Sequence, residues 1–254
     1  MSALAGKGIL VTRPREQAEP LSGRLQAAGA RAISFPAIEI APPLDQARLD
    51  GLIDRLADFD WVVFISPTAV SRFFAALNER VLPAALRIAA VGEGSARGLQ
   101  RRGVGEIVFP EGDADSEALL ALPAMQAVQG KKILIVRGEG GRELLAETLR
   151  ARGARVEYAE CYRRLRPRAD AAPILAEFRR GGIDAITATS SEGVGNLFAL
   201  LGREGAVFLR DTPWFVPHAR IAEAARVLGA RRVAVSAPRD DGLLTTLEDW
   251  FAHG

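Results

Sequence analysis

Hydroxyl and guanidinium groups follow several short apolar runs of this sequence, at the points where those runs end. Ser66, Ser95 and Ser190 lie just beyond three such runs, and Arg13 and Arg137 end two others. Such groups bind carboxylates and phosphates, especially beside the backbone N–H groups of a helix start. The sequence therefore predicts anion binding. The alternatives are that each serine caps a helix and that each arginine forms an ion pair.

The elements that must position these groups are short apolar runs, each followed by a segment of helical period. This alternation predicts parallel sheets covered by helices on both faces, an α/β fold. Open sheets of this kind bind ligands at the carboxyl ends of their strands, where the groups named above lie. The predicted strands are ILVT (9–12), WVVFI (61–65), RIAAV (87–91), EIVF (106–109), KILIV (132–136), DAITAT (184–189), PWFV (213–216) and RVAVS (232–236).

The sequence also contains an internal repeat. Residues 7–31 align without a gap with residues 131–155, at an offset of 124, and 11 of 25 positions are identical. The same offset relates 60–77 to 184–201, and a weaker match at an offset of 126 relates 89–104 to 215–230. A duplication of this kind predicts two similar α/β lobes.

Two proline-bearing segments, FPAIEIAPP (35–43) and ECYRRLRPRAD (160–170), interrupt the alternation one repeat apart. We interpret them as crossings between the lobes, at 38–40 and 164–166. The first lobe is then discontinuous, 1–37 plus 167–254, and the second comprises 41–163. Two neighbouring crossings are typical of a hinge.

Composition excludes several classes of function. A formal net charge of +2, without a basic lobe, disfavours nucleic-acid binding. With one cysteine, Cys161, and two histidines, His218 and His253, neither an internal disulfide nor a Cys- or His-based metal cluster is expected. The sequence has no long apolar run, so we expect a cytoplasmic protein without a membrane span. The glycine-rich segments 92–98 and 137–142 do not fit the nucleotide-binding patterns.

Taken together, these motifs resemble the uroporphyrinogen-III synthase family over nearly the whole chain. The resemblance implies two flavodoxin-like lobes with parallel sheets, joined by a two-stranded connector. It also implies a monomeric, cofactor-free, metal-free enzyme of heme and other tetrapyrrole biosynthesis. Such an enzyme cyclises the linear tetrapyrrole hydroxymethylbilane to uroporphyrinogen III, losing water and inverting the last pyrrole ring. The segments that carry the resemblance are VTRP (11–14), FISPTAV (64–70), VGEGSARGL (91–99), RGEGGRELLAETLRARGARVEYAECYR (137–163) and TSSEGV (189–194).

The same resemblance implies roles for individual residues. Tyr162 matches the family tyrosine that donates a proton or hydrogen bond to the departing hydroxyl, and Ser66, Ser95 and Ser190 match substrate-contacting positions. For Tyr162 the alternative is a connector tyrosine whose ring packs against a lobe. One segment departs from the family pattern: in PHARIA (217–222), Ile221 stands where a substrate-contacting threonine is expected. His218 replaces the usual glycine there and could supply a hydrogen-bond donor to the substrate.

Two other classes of function compete with this interpretation. A two-lobed module that binds or senses a small anion, without catalysis, would share the fold and the hinge. A sugar-phosphate-handling α/β enzyme is a weaker third possibility. For the enzyme, a transient contact with the preceding enzyme of the pathway is left open by the sequence.

Overall fold

Short runs rich in β-branched and aromatic residues form the strands of this protein, as expected for buried parallel sheets. The computed structural model describes residues 2–112 and 115–253. In those ranges the chain forms ten strands: β1 (Gly8–Val11), β2 (Arg31–Ser34), β3 (Glu39–Ala41), β4 (Trp61–Phe64), β5 (Arg87–Ala90), β6 (Lys132–Gly138), β7 (Arg155–Leu165), β8 (Ala185–Thr187), β9 (Trp214–Val216) and β10 (Val233–Val235).

Helices separate most of the strands. The longest, α9, changes direction at Gly202, which has φ 61° and ψ −158°. Leu56–Asp58 adds a 3-10 turn before β4. The helices are α1 (Arg15–Ala27), α2 (Gln46–Asp54), α3 (Pro67–Leu77), α4 (Glu93–Gln100), α5 (Ser116–Ala121), α6 (Pro123–Gln126), α7 (Leu144–Ala151), α8 (Ala172–Arg179), α9 (Ser191–Asp211), α10 (Ala219–Val227) and α11 (Arg239–His253).

The chain divides into two compact units. The first unit is Met1–Ile40 with Leu165–Gly254, and the second unit is Ala41–Arg164. Met1 and Gly254, the outer limits of the predicted discontinuous lobe, lie outside the described residues. The strand orders of the two five-stranded sheets are β10-β9-β8-β1-β2 and β3-β7-β6-β4-β5.

The internal repeat reappears in the strand registers. In the first unit β1 pairs with β2 in parallel, with Gly8 opposite Arg31, and in the second unit β6 pairs with β7, with Lys132 opposite Arg155. Both residues of the second pair lie 124 positions beyond those of the first. The pair Ile9–Ala185 of β1 and β8 likewise corresponds to Ile133–Trp61 of β6 and β4. The predicted duplication therefore extends to the pairing of individual residues.

In the first unit both faces of the sheet are buried. Leu10, Ile186 and Trp214 face one core with residues of α8, α9 and α10. Their neighbours Ile9, Ala185 and Phe215 face the other core, with residues of α1 and α11. Successive side chains of a strand point to opposite faces, so each strand contributes to both cores. The predicted arrangement of helices on both faces of a parallel sheet is found here.

The second unit also has helices on both faces of its sheet, but that sheet is mixed rather than wholly parallel as predicted. Trp61, Val63 and Ile135 pack against residues of α5, α6 and α7. On the opposite face Phe64 meets Phe73 of α3 edge to face, with ring centroids 5.5 Å apart. The β4 strand, whose four residues are all buried, thus lies between two helical layers.

One predicted strand of the second unit does not form. The run EIVF (106–109) is not a strand but a single parallel bridge between Val108 and Ala89, because only that residue reaches the edge of β5. The segment that follows forms two helices, α5 and α6, since Leu122 between them is extended before Pro123. Asp115 caps α5, and its carboxylate accepts a hydrogen bond from Ala118 N at 2.7 Å.

Candidate functional site

In the second unit, three of the predicted ligand-binding segments lie side by side. They follow β6, β4 and β5, which are neighbours in the sheet and parallel to one another. The carboxyl ends of parallel strands meet at one edge, and ligands of open α/β sheets bind there. The fold therefore brings together the turns that carry Arg137, Ser66 and Ser95.

Ser66 begins α3 at this edge. The backbone of Ser66 is extended (φ −159°, ψ 158°), and Pro67 follows it at the first helical position. The Oγ of Ser66 accepts a hydrogen bond from Ala69 N at 3.0 Å. The helix-cap alternative is thus correct for Ser66. The same Oγ lies 3.3 Å from the phenol oxygen of Tyr162, and either atom can donate. Capping and contact with Tyr162 are therefore compatible.

Tyr162 lies on β7 and is 2% exposed. Its ring lies against Gly138, the residue opposite it across a register shift between β6 and β7. Its backbone oxygen accepts a hydrogen bond from Glu139 N at 2.8 Å. The ring is packed, as the alternative expected, and the phenol oxygen is directed to Ser66. The predicted contact between Tyr162 and the departing hydroxyl stays a prediction.

Arg137 is buried and has internal partners. It donates to the backbone oxygen of Gly138 at 3.2 Å and to that of Gly140, and it pairs with Glu143 at 2.9 Å. The guanidinium also lies over the Tyr158 ring, 4.6 Å from its centroid. These contacts fasten the turn between β6 and α7. The predicted contact between Arg137 and a substrate stays a prediction.

Two ionisable groups respond to this network. Hydrogen bonds from Tyr158 and then from Arg137 lower the pKa of the Glu143 carboxyl. Burial, followed by the hydrogen bond to Glu143, raises the pKa of the Tyr158 phenol. Glu143 is therefore held as a carboxylate and Tyr158 as a neutral donor.

Ser95 does not cap a helix. It is the third residue of α4, whose cap position is Gly92, and it is 3% exposed. The capping alternative is thus wrong for Ser95. Its repeat equivalent at the offset of 126 is Ile221, which is 2% exposed and lies in the core of the first unit.

In the first unit Arg13 follows β1 and pairs with Asp240, at 2.6 Å, at the start of α11. Arg13 thus forms the ion pair that the alternative predicted, and its contact with a substrate stays a prediction. Its Nε is a buried donor for which no described residue supplies an acceptor. Buried donors are rarely left without an acceptor, so this nitrogen is a natural place to look for a bound anion.

Ser190 and His218 lie at helix starts of the same unit. Ser190, the repeat equivalent of Ser66, caps α9, and its Oγ accepts a hydrogen bond from Gly193 N at 3.0 Å. His218 occupies the cap position of α10 without a side-chain cap, and it is exposed. Because Ile221 points into the core, a ligand near α10 would meet His218 or the backbone rather than Ile221.

Cys161 is buried beside Tyr162, and its thiol contacts the backbone oxygens of Arg137, at 3.4 Å, and Ala69, at 3.6 Å. Burial raises the pKa of this thiol to about 12. We therefore expect no reaction with Ellman's reagent at pH 8 in the folded protein and one reacting thiol after unfolding in urea. Rapid labelling of the folded protein would contradict this burial.

Several site residues were not singled out from the sequence. Gly138, Glu143 and Tyr158 lie inside quoted motifs but have no distinguishing pattern of their own. Asp240 lies 227 residues from Arg13, and the sequence offered no signal that would pair them.

Two kinds of feature are absent from the part of the chain that the structure describes. No cluster of three or more His, Cys, Asp and Glu side chains in 2–112 and 115–253 is suited to a metal ion. Among the same residues no helix is both long and apolar enough to cross a membrane.

Fold and site together define a class: an α/β protein of two duplicated units, one with a parallel and one with a mixed sheet, with hydroxyl and guanidinium groups at the carboxyl ends of the strands. The family model described as "Uroporphyrinogen-III synthase HemD" matches residues 19–245. Uroporphyrinogen-III synthase of Salmonella typhimurium is 37% identical over 246 residues, covering 94% of this chain and 99% of the relative. That of Synechococcus elongatus is 32% identical, covering 97% and 96%.

Solved structures agree on the fold. A uroporphyrinogen III synthase mutant of Thermus thermophilus superposes with a TM-score of 0.62 at 17% identity, covering 98% of this chain and 100% of that one. The Helicobacter pylori uroporphyrinogen-III synthetase gives 0.61 at 13% identity, covering 96% and 99%. The chain belongs to the uroporphyrinogen-III synthase family, enzymes of porphyrin biosynthesis. The resemblance and the α/β fold class predicted from the sequence are confirmed, and the enzyme is favoured over the binding module.

Proposed function

We propose that this enzyme cyclises hydroxymethylbilane to uroporphyrinogen III, with loss of water and inversion of the last pyrrole ring. Family membership over most of the chain supports the reaction. The observation that carries the mechanism is the contact between Ser66 and Tyr162 at the carboxyl end of β4, 3.3 Å between oxygens. This is where an open α/β sheet places its ligand.

The reaction needs little classical catalysis. The substrate hydroxyl leaves as water, which requires one proton, and the pyrrole nitrogen supplies the electron pair that expels it. The last pyrrole ring attacks the resulting cation through its substituted carbon, which gives a spiro intermediate. The bond from that carbon to the neighbouring bridge then breaks, and the bridge bonds to the free carbon of the same ring. That carbon loses a proton when the ring becomes aromatic again. A phenol that gives up a proton in the first step can therefore recover one in the last.

Tyr162 is the donor in this proposal, and Ser66 connects it to the substrate. Because Tyr162 is 2% exposed while Ser66 is half-buried, a ligand reaches the phenol proton through the Ser66 hydroxyl. Ser66 Oγ accepts from Tyr162 and passes its own proton to the departing hydroxyl. The hydrogen bond from Ala69 N keeps this Oγ in place.

The substrate carries eight carboxylates, and we assign the other polar groups of the candidate site to binding them. In the second unit we assign Ser95 and Arg137 to carboxylate binding, with Arg137 also holding the turn that follows β6. In the first unit we assign Arg13, Ser190 and His218. The buried Nε of Arg13, without an acceptor in the described part of the chain, supports an anion beside it. Arginine binds carboxylates through two parallel hydrogen bonds.

The test of the reaction is the identity of its product. Uncatalysed closure of hydroxymethylbilane gives the symmetric type I isomer, so the enzyme must redirect closure as well as accelerate it. We expect freshly made hydroxymethylbilane to give uroporphyrinogen III, measured by chromatography of the oxidised porphyrins. Type I alone, at the uncatalysed rate, would overturn the proposal. Substrate binding with no change of rate or product would instead identify an anion-binding module.

We also propose that the enzyme acts in the cytoplasm as a monomer of two domains, 1–37 with 167–254 and 41–163, joined at 38–40 and 164–166. A transient contact with the preceding pathway enzyme is part of this proposal. It is supported by the chemistry, since a substrate that cyclises unaided is best transferred quickly. Sedimentation of the protein alone and with that enzyme tests both the mass and the contact.

A further inference from the structure

Gly138 ends β6 with a backbone that any residue can adopt, since its φ is not among the positive values found at other glycines of the chain. Space, not conformation, requires glycine here. A Cβ at this position would lie 2.7 Å from both Cε2 and Cζ of Tyr162 and 3.1 Å from its Oη. All three atoms lie at the hydroxyl end of the tyrosine side chain.

The ring has little freedom to move away. Tyr162 is held at its backbone by Glu139 N, at 2.8 Å, and at its tip by Ser66. An ordinary carbon contact would require the ring to shift by about 0.7 Å. The contact with Ser66 is already long at 3.3 Å, so even part of such a shift, where it carries the phenol away from Ser66, takes the contact beyond hydrogen-bond distance.

We propose that Gly138 is a positioning residue for Tyr162: its missing side chain makes the slot that aims the phenol at Ser66. This inference rests on the proposed role of Tyr162 as proton donor. It adds that the backbone of β6, rather than the connector segment alone, sets the distance over which the proton moves.

The direct test is Gly138→Ala. We expect turnover to fall by about ten- to a hundredfold, as far as when the phenol is removed, because proton transfer depends on hydrogen-bond distance. The matched control is Gly51→Ala in α2 of the same unit, where an added Cβ meets nothing within 4 Å. It should keep wild-type turnover. Wild-type turnover of Gly138→Ala would overturn the proposal.

A double variant separates positioning from a general loss of structure. If Gly138 acts through the phenol, Gly138→Ala should cost no further turnover in the background of Tyr162→Phe. Losses that multiply would overturn the proposal. Since the chain has two tyrosines, ring-labelled tyrosine gives two sets of NMR signals, which Tyr162→Phe assigns. Gly138→Ala should shift the Tyr162 signals and leave those of Tyr158; unchanged Tyr162 signals would also overturn it.

Stability supplies a readout that does not depend on activity. If the added methyl destabilises the fold, the ring of Tyr162 should be the cause. The decrease in the free energy of unfolding that Gly138→Ala causes, measured with urea, should then be smaller in a Tyr162→Leu background than in wild type. Equal losses in both backgrounds contradict the slot. Failure of the proposed function is seen elsewhere, in type I product from the wild-type enzyme or full turnover of Tyr162→Phe, so the two failures are distinguishable.

Discussion

Replacing Tyr162 by phenylalanine is expected to lower turnover by about ten- to a hundredfold and to leave the melting temperature nearly unchanged. The ring, which fills the space beside Gly138, is kept, and only the hydroxyl that faces Ser66 at 3.3 Å is lost. The pyrrole nitrogen already helps to expel the leaving hydroxyl, so the loss stays at the low end of general-acid effects. Initial rates with fresh hydroxymethylbilane and a thermal melt measure both quantities.

The control for this substitution is Tyr158→Phe. Tyr158 is the other tyrosine of the chain, and its hydroxyl bonds to Glu143 rather than to Ser66. We expect a smaller loss of turnover than in Tyr162→Phe, because Tyr158 contacts the turn that carries Arg137 but not Ser66. Full turnover in Tyr162→Phe would rule out the phenol as donor. Lost stability with retained turnover would leave Tyr162 a packing residue.

Much of the fold can be predicted from the sequence because both copies of the internal repeat have the same pattern of strands and helices. The offset of 124 between Lys7 and Lys131 predicts two equivalent strand–helix–strand segments, and the registers of β1 with β2 and of β6 with β7 repeat it residue by residue. The prediction of a strand at 106–109 failed for a physical reason. The composition of this run is that of a strand, but a strand also needs a paired edge, and only Val108 obtains one.

The candidate site was less predictable because its contacts depend on packing between distant segments. Ser66 and Tyr162 are 96 positions apart, and they meet because the register shifts by one residue between Arg137 and Gly138. The sequence does not encode that shift in any pattern we recognised. Capping was predictable for Ser66 and Ser190, since serine before a helix supplies the acceptor that the first turn lacks. The same rule failed for Ser95, where Gly92 takes the cap position.

Arg13 and Arg137 show the limit of the repeat. They occupy equivalent positions after equivalent strands, yet Arg13 pairs with Asp240 of α11 whereas Arg137 binds its own turn and Glu143. The repeat places each arginine directly after its strand. Residues that are not repeated in the other half determine what its guanidinium group contacts. The two arginines should therefore differ when they are replaced.

For Arg13→Ala we expect the substrate Michaelis constant to rise about tenfold or more, with turnover little changed. A hydrogen bond to a charged group contributes about 1.5–3 kcal/mol, and a peripheral carboxylate is bound alike in the ground and transition states. The control is Arg179→Ala, on α8 of the same unit, which removes an exposed ion pair with Glu204. An unchanged Michaelis constant in Arg13→Ala would mean that Arg13 forms only the ion pair with Asp240 and does not bind substrate.

For Arg137→Ala we expect a higher Michaelis constant together with a free energy of unfolding lowered by about 1–3 kcal/mol, because the Gly138 and Gly140 carbonyls lose their buried donor. Urea unfolding measures the second quantity, and rates taken where the variant is fully folded measure the first. Lost stability with an unchanged Michaelis constant would restrict Arg137 to holding the turn. Wild-type stability would mean that the turn after β6 is held by other contacts, since a buried arginine with these partners should not be removable without cost.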